Sequence, residues 1–453
     1  MSYTFLNDLD SAVFDRFSAA HPLGNMMQTS GWARLKKEWD SAYCGVKQDG
    51  QLIAAALVLF RPLPLGYTFA YVPRGPLMDY TDAVLTQFFL GELKRFARSR
   101  KAVFLKFDPQ LVISESRHEE TVYRNAQLDE IMANIRNSGG IHYGFTKDLN
   151  ATTQPRFMAA VKQDALERLP RDTEKKLRRA YRHEVKGVIC GIERIDEFAD
   201  IIAYTERRQR VTLRSREYFH DMMAAFKEDA LLLLCEVDLK TLLEREAKEY
   251  QEMLAERENV PENAKKKLKQ LELKITNAQR DLKAHAALRE RYGDHAVIGG
   301  QLAVRSNQML EMLYSGLNED FAKFYPNYLS YVETFRYAFA HGCEYANMGG
   351  IPMDQRNGLT TFKFNFDPYI IEYIGEFDLV IRPLMNRALR FLMQRRKQAM
   401  VKKERMNTKA GWPSDRRNRN EENRNSFTSG YRKAGAAAGC LIKGKACADH
   451  AER

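Results

Sequence analysis

The chain has 453 residues, 44% hydrophobic and 29% charged, with a formal net charge of +12 at pH 7. That length allows two or three domains with packed cores, and the positive balance favours an anionic partner: nucleic acid, a phosphorylated substrate or an anionic membrane surface. No run approaches roughly eighteen consecutive apolar residues, which excludes a helical membrane span, and the N-terminus, with Asp8, Asp10 and Asp15, lacks the apolar core of a signal peptide.

The first stretch alternates helix and strand. Helices are predicted near 8–20 and over 31–40, and strands over 42–48, 51–63 and 67–75. A helix over 81–100 leads to a strand at 102–109 that ends on Asp108-Pro109, and a helix over 126–138 closes on Asn137-Ser138-Gly139-Gly140, a helix C-cap signal. This order indicates an α/β layered domain.

A second stretch begins near 155 with a basic helix, Lys175 to Val185, followed by helices over 192–210 and 216–228 and an apolar strand at 231–237. Residues 238–290 then read as an arm. Apolar positions fall at Leu239, Leu243, Ala247, Tyr250 and Leu254, and again at Leu268, Leu271, Ile275, Ala278 and Leu282. The three-four spacing is that of a coiled-coil seam, and the turn Asn259 to Asn263, with Pro261, folds it into an antiparallel helical hairpin. A buried strand at 296–304 follows, so the arm is inserted between two strands of one sheet. Two readings stand: a packing or dimerisation device, or a lever that holds a large partner away from a catalytic globule.

Strands at 296–304 and 307–315, a helix at 327–343 and a strand at 344–351 repeat the first stretch's order, which suggests one fold duplicated. From about 400 the chain is polar and basic, and 400–453 is expected to be a disordered tail, either phosphate-seeking or dispensable.

No Ser/His/Asp arrangement, GxSxG elbow, HExxH or Walker loop occurs. The nine histidines do not cluster with metal-ligand spacing, and His341 and Cys343, on one helix end, read as structural. The six cysteines form no CxxC pair, so zinc and disulfide frameworks are not indicated and a reduced, cytoplasmic setting fits. With neither metal nor cofactor indicated, reactions managed by positioning and electrostatics remain. One stretch is informative for these. Gly349-Gly350 at a strand end lets backbone approach a ligand closely. Lys363, among Phe362, Phe364 and Phe366, loses hydration and becomes a strong local cation for an oxyanion; the other reading is a snorkelling surface lysine.

Eight runs, in order over about residues 1–395, resemble the Fem family of aminoacyl-tRNA-dependent transferases that build peptidoglycan cross-bridges. They are GWARLKKEW (31–39), PLPLGYTFAYVPRGPLMDY (62–80), AVFLKFDP (102–109), TTQPR (152–156), LRSREYF (213–219), MGGI (348–351), LTTFKFNFDP (359–368) and EYIGEF (372–377). Within the family the chain looks closest to the MurM type, which adds Ala or Ser to lipid II. The resemblance implies two acetyltransferase-like (GNAT) domains, 1–153 and 154–395, with the 238–290 coiled-coil arm inserted in the second. It carries the family's phosphate-binding lysine and arginine onto Lys36 and Arg214, and its groove tryptophan and tyrosine onto Trp39 and Tyr218. The lysine that steadies the reacting ester falls on Lys363, beside Phe362, and the strand-end aspartate on Asp108. Val103 stands where one family member has a groove tyrosine.

The reaction so implied moves an amino acid, Ala or Ser first, from aminoacyl-tRNA to the stem-peptide Lys amine of lipid II. Lys363 faces the oxyanion, and the amine's proton goes to Asp108 or to a substrate carboxylate. Gly349 and Gly350 approach substrate, and Lys175, Lys176, Arg178, Arg179 and Arg182 hold the tRNA backbone. A cytoplasmic monomer, peripheral at the inner face of the plasma membrane, is expected. Alternatives are a Fem-type enzyme adding Gly or the second bridge residue, and a non-catalytic RNA-binding coiled-coil protein. An acyl-CoA acetyltransferase would need a Q/RxxGxG/A loop, which is not found.

Overall fold

The computed structural model describes residues 2–149, 151–209, 213–353 and 358–391; the expected tail at 400–453 lies outside them. The chain forms two units. The first takes the chain up to Ala160, then Gly349–Lys363, then Tyr369 onward; the second takes Val161–Met348 and Phe364–Pro368.

In the first unit β1 (Tyr3–Leu6) precedes α1 (Ser11–Ala20) and α2 (Ser30–Leu35). Asp10 caps α1 through Ala12 N and Val13 N, and Thr29 Oγ1 caps α2 at 3.2 Å from Trp32 N. Next come β2 (Asp40–Gln48), β3 (Gln51–Pro62), β4 (Thr68–Val72), α3 (Ala83–Ser99) and β5 (Ala102–Phe107). β6 (Val112–Arg117), β7 (Glu120–Arg124), α4 (Leu128–Asn137), β8 (Ile141–His142) and β9 (Phe157–Val161) complete the stretch. β1 to β4 pair antiparallel in sequence order, and β4 pairs β5 in parallel across α3. Ala54 to Phe60 of β3 are all buried, because α3 covers one face and the α1–α2 segment the other; a strand sandwiched this way reads as a continuous apolar run.

The helix expected over 31–40 stops at Leu35. Lys36 takes φ −92°, ψ 51°, and the ladder with β3, in which Asp40 sits opposite Phe60, claims the residues beyond. Strand pairing overrides helix propensity here.

In the second unit α5 (Asp164–Glu167) and α6 (Arg171–Arg182) lead to β10 (Val185–Cys190), α7 (Ile195–Gln209), α8 (Arg216–Phe226) and β11 (Ala230–Asp238). Val185, expected to end the basic helix, begins β10 instead. After α9 (Leu239–Glu258) and α10 (Lys265–Tyr292) come β12 (His295–Ser306), β13 (Met309–Leu317), α11 (Pro326–Ala340) and β14 (Tyr345–Gly350). β10 to β13 form an antiparallel meander, and β13 pairs β14 in parallel. The buried run Leu231–Leu234 has the same cause as that of β3: α7 and α8 lie on one face of the sheet and α11 on the other.

α9 and α10 leave β11 and return to β12 directly, with Asp238 opposite His295 and Leu239 N 2.8 Å from Asp294 O. Cross-helix pairs run in opposite directions: His285 Nδ1 to Glu246 at 2.8 Å, Arg257 to Glu272 at 3.3 Å and Lys267 to Glu256 at 3.0 Å. The inward face differs from the expected seam. Ala247 faces solvent, while Leu242 is buried and Glu246 turns in to meet buried His285.

Finally α12 (Gly358–Phe364), β15 (Tyr369–Tyr373) and β16 (Phe377–Val380) follow. β15 pairs both β9 and β6, and β16 inserts between β5 and β8. The last strands therefore pair with strands from the beginning of the chain.

Candidate active site

The parallel pairing of β4 and β5 brings their C-terminal ends together, with Tyr71 opposite Lys106 and Val72 opposite Phe107. Asp108 follows at once. It is 2% exposed, and both its oxygens are engaged: Tyr71 Oη donates at 2.8 Å and Arg74 N donates at 2.7 Å. Burial pushes the carboxyl up to about 6, against the lowering influence of the Arg74 charge and of these two hydrogen bonds. The loop holding Arg74 is pinned from below: Gln28 Nε2 donates to Pro73 O at 2.7 Å and Asn25 Nδ2 to Arg74 O at 3.0 Å. Arg74 sends its own guanidinium to Pro155 O at 2.9 Å and lies 4.7 Å from the ring centre of Tyr373.

Lys363, on α12, is 3% exposed and donates from Nζ to Gly350 O at 2.9 Å. Burial brings its ammonium down to about 7. Gly349 has φ +87°, a left-handed conformation that favours glycine, and a Cβ on Gly350 would meet Pro155 Cγ at 2.5 Å. Pro155 thus touches Gly350 with its ring and holds Arg74 with its carbonyl. A short path, Gly350–Pro155–Arg74, joins the lysine to Asp108. The aromatic surround expected for Lys363 is only partly formed. Phe362 is buried, Phe364 is 48% exposed, and Phe366 stacks on Tyr331 at 5.3 Å in the second unit. The stretch is helix running into a turn, so its three phenylalanines point different ways.

Lys36 ends α2, 9% exposed, with Nζ 4.1 Å from the ring centre of Trp32, whose own Nε1 is buried with no hydrogen-bond partner among the described residues. Trp39 meets Phe69 edge-on at 5.9 Å, and Phe69 stacks on Tyr71 at 6.2 Å. Trp39 therefore reaches Asp108 through two rings. Val103 is buried in β5.

Arg214 and Tyr218 belong to the second unit. The guanidinium of Arg214 lies 4.7 Å from the centre of the Tyr218 ring, and burial raises the Tyr218 hydroxyl's pKa. On α6, Lys175, Arg178, Arg179 and Arg182 are exposed. Lys176 is half-buried between Asp172, at 2.5 Å, and Tyr328 Oη, at 2.9 Å. Tyr71, Arg74, Gln28 and Pro155 were not singled out by sequence reasoning. Tyr71 and Arg74 lie in the run 62–80 and Pro155 in TTQPR, which offered the only local signal.

The α/β fold has a counterpart among solved structures. A solved crystal structure of FemX superposes with a TM-score of 0.69 at 25% identity, covering 86% of this chain and 99% of that one. The FemAB family model matches residues 9–394, and the chain belongs to the FemAB family. A lipid II:glycine glycyltransferase of Staphylococcus epidermidis is 27% identical over 410 residues, covering 86% of this chain and 94% of that protein. The protein of that name from Staphylococcus aureus (strain bovine RF122) is 26% identical over 414 residues, covering 86% and 96%. With family and relatives agreeing, the chain is an enzyme of the aminoacyltransferase type. The expected family is therefore correct. Nothing in these likenesses singles out the MurM type, and the relatives' named activity favours the glycine alternative over Ala or Ser.

Proposed function

We propose that the chain transfers a glycyl group from glycyl-tRNA to the stem-peptide Lys amine of lipid II. The observation that carries this reading is the likeness, over 86% of the chain, to relatives named for glycyl transfer on lipid II. The net charge of +12 and the exposed cations of α6 support an RNA donor. Each unit serves as an acetyltransferase-like domain, and the α9–α10 hairpin as a coiled-coil arm of the second. The enzyme works as a cytoplasmic monomer at the inner face of the plasma membrane, where its acceptor is anchored.

The donor ester is already activated, so the protein's task is to position the amine and stabilise the tetrahedral oxyanion. Lys363 does the second. A buried ammonium near its titration midpoint at neutral pH gains most when negative charge develops beside it. Its bond to Gly350 O uses one of three donors. Asp108, with both oxygens occupied, holds Tyr71 and the Arg74 loop in place; it accepts the amine's proton only by way of the Tyr71 hydroxyl, or a substrate carboxylate accepts it. Lys36 and Arg214 are phosphate contacts, with Trp39, Tyr218, Phe362, Gly349 and Gly350 lining substrate. Collapse of the oxyanion forms the amide and releases tRNA through its ribose oxygen.

The test is transfer to lipid II from tRNA charged with Gly, Ala or Ser, with acetyl-CoA as control. Glycyl transfer is expected. Preference for Ala or Ser overturns the donor assignment, and failure with every charged tRNA overturns the reaction.

A further inference from the structure

Among the described residues, the two most exposed large apolar side chains are Leu65, at 92%, and Leu384, at 81%. They lie far apart in sequence but share one corner of the first unit. Leu65 tips the β3–β4 connection, closed by Leu63 N on Tyr67 O at 2.8 Å, with Pro62, Pro64 and Gly66 also exposed. Thr68 beside it hydrogen-bonds the Arg100–Lys101 turn, through its N to Lys101 O at 3.2 Å and its hydroxyl to Arg100 O at 2.8 Å. Val103 O accepts from both Ile381 N and Arg382 N, and the Arg382 guanidinium lies 5.2 Å from the ring centre of Tyr67. Leu384 comes two residues later.

Cations lie close to this tip along the chain: Arg61, near the end of β3, has its guanidinium 5.8 Å from the ring centre of Trp39, Arg100 and Lys101 form the adjacent turn, and Arg382, over Tyr67, precedes Leu384 by two residues. The acidic side chain joined to them is Asp40, which pairs with Arg100. Protruding leucines beside an excess of arginine and lysine match an anionic bilayer surface: the apolar tips enter the acyl boundary and the cations meet headgroup phosphates. A protein partner is better served by a groove or a flat patch than by two projecting side chains.

We infer that the corner carrying Leu65 and Leu384, with Arg61, Lys101 and Arg382, docks the enzyme on an anionic lipid surface. This inference rests on the membrane contact proposed above, to which it assigns a place in the fold, and not on the identity of the transferred amino acid.

The test uses the full chain and vesicles of phosphatidylcholine with and without phosphatidylglycerol, both lacking lipid II. Wild type is expected to co-sediment with the anionic vesicles and to be released as salt rises, and the double variant Leu65→Asp/Leu384→Asp to bind on the order of tenfold more weakly. Equal binding by the double variant overturns the inference, as does wild-type binding that appears only when lipid II is present. Should the double variant fail to fold, Leu65→Trp decides: a blue-shifted emission on anionic vesicles supports insertion, and an unshifted one refutes it. A dimer that the double variant loses, with vesicle binding unchanged, assigns the corner to a second copy and overturns it too. Glycyl transfer to a water-soluble stem peptide is expected to survive in the double variant; if wild type lacks that transfer, the reaction fails while the vesicle result stands on its own.

Discussion

Replacing Lys363 with Met separates what the lysine costs the fold from what it does in the reaction. Burial brings its pKa from the ordinary 10.5 to about 7. At about 1.36 kcal/mol per pH unit, holding the proton in the folded state costs about 5 kcal/mol. The pH window follows from linkage. Below about 7 both folded and unfolded chains are protonated, and the penalty is constant. Between about 7 and 10.5 the unfolded chain keeps a proton that the folded chain has released, so wild-type stability climbs with pH. Methionine fills similar volume without a charge, but it leaves Gly350 O without this donor, at a cost of about 1–3 kcal/mol. The variant should therefore be about 2–4 kcal/mol more stable than wild type at pH 6.5. That advantage should shrink by about 2.3 kcal/mol between pH 7 and 9. Urea denaturation at the two pH values measures it, and a charged-tRNA transfer assay on the same preparation should read no product above background. A stability difference that ignores pH would mean that Lys363 is solvated; undiminished turnover would remove it from the chemistry.

Asp108→Asn keeps an acceptor for Arg74 N but offers Tyr71 an amide instead of a carboxylate; it should lose about 1–3 kcal/mol at pH 7.5 and most of its transfer rate. Because the wild-type carboxyl titrates at about 6 rather than 3.8, the folded wild type binds its proton more tightly, and wild type should gain about 3 kcal/mol on the variant as pH falls from 6 to 3.8. Gly350→Ala drives a methyl against Pro155 at 2.5 Å and should cost about 1–3 kcal/mol in thermal unfolding while displacing the carbonyl that holds Lys363, so that transfer falls at unchanged tRNA binding. Excising residues 239–294 and joining Asp238 to His295 by Asn-Gly respects their existing antiparallel register, so the second unit should keep its sheet by circular dichroism. If the hairpin is a lever for RNA, tRNA binding by that deletion should weaken about tenfold or more at low salt; undiminished binding makes it a structural device.

How much of this was open to a reader of the sequence depends on how local each cause is. The apolar runs of β3 and β11 and the α9–α10 hairpin declare themselves because their determinants, burial on both faces and a three-four repeat, lie within a few residues of one another. Asp108 stood out as a strand end for the same reason. Its partners did not, since Tyr71 and Arg74 reach it only through a parallel pairing across a whole helix. The return of β15 and β16 to the first unit's sheets has no local mark at all: four or five apolar-leaning residues fit any sheet, and pairing alone selects one. Glu246 displaced Ala247 from the arm's inner face because His285, thirty-nine residues on, offers it a partner that no spacing rule anticipates. Lys363 shows the limit most sharply. Its aromatic neighbours in sequence suggested a cage, but what its buried ammonium meets is the backbone carbonyl of Gly350, at the end of β14. A lysine's neighbours along the chain therefore say little about its charge, whereas its burial in the folded chain says nearly everything.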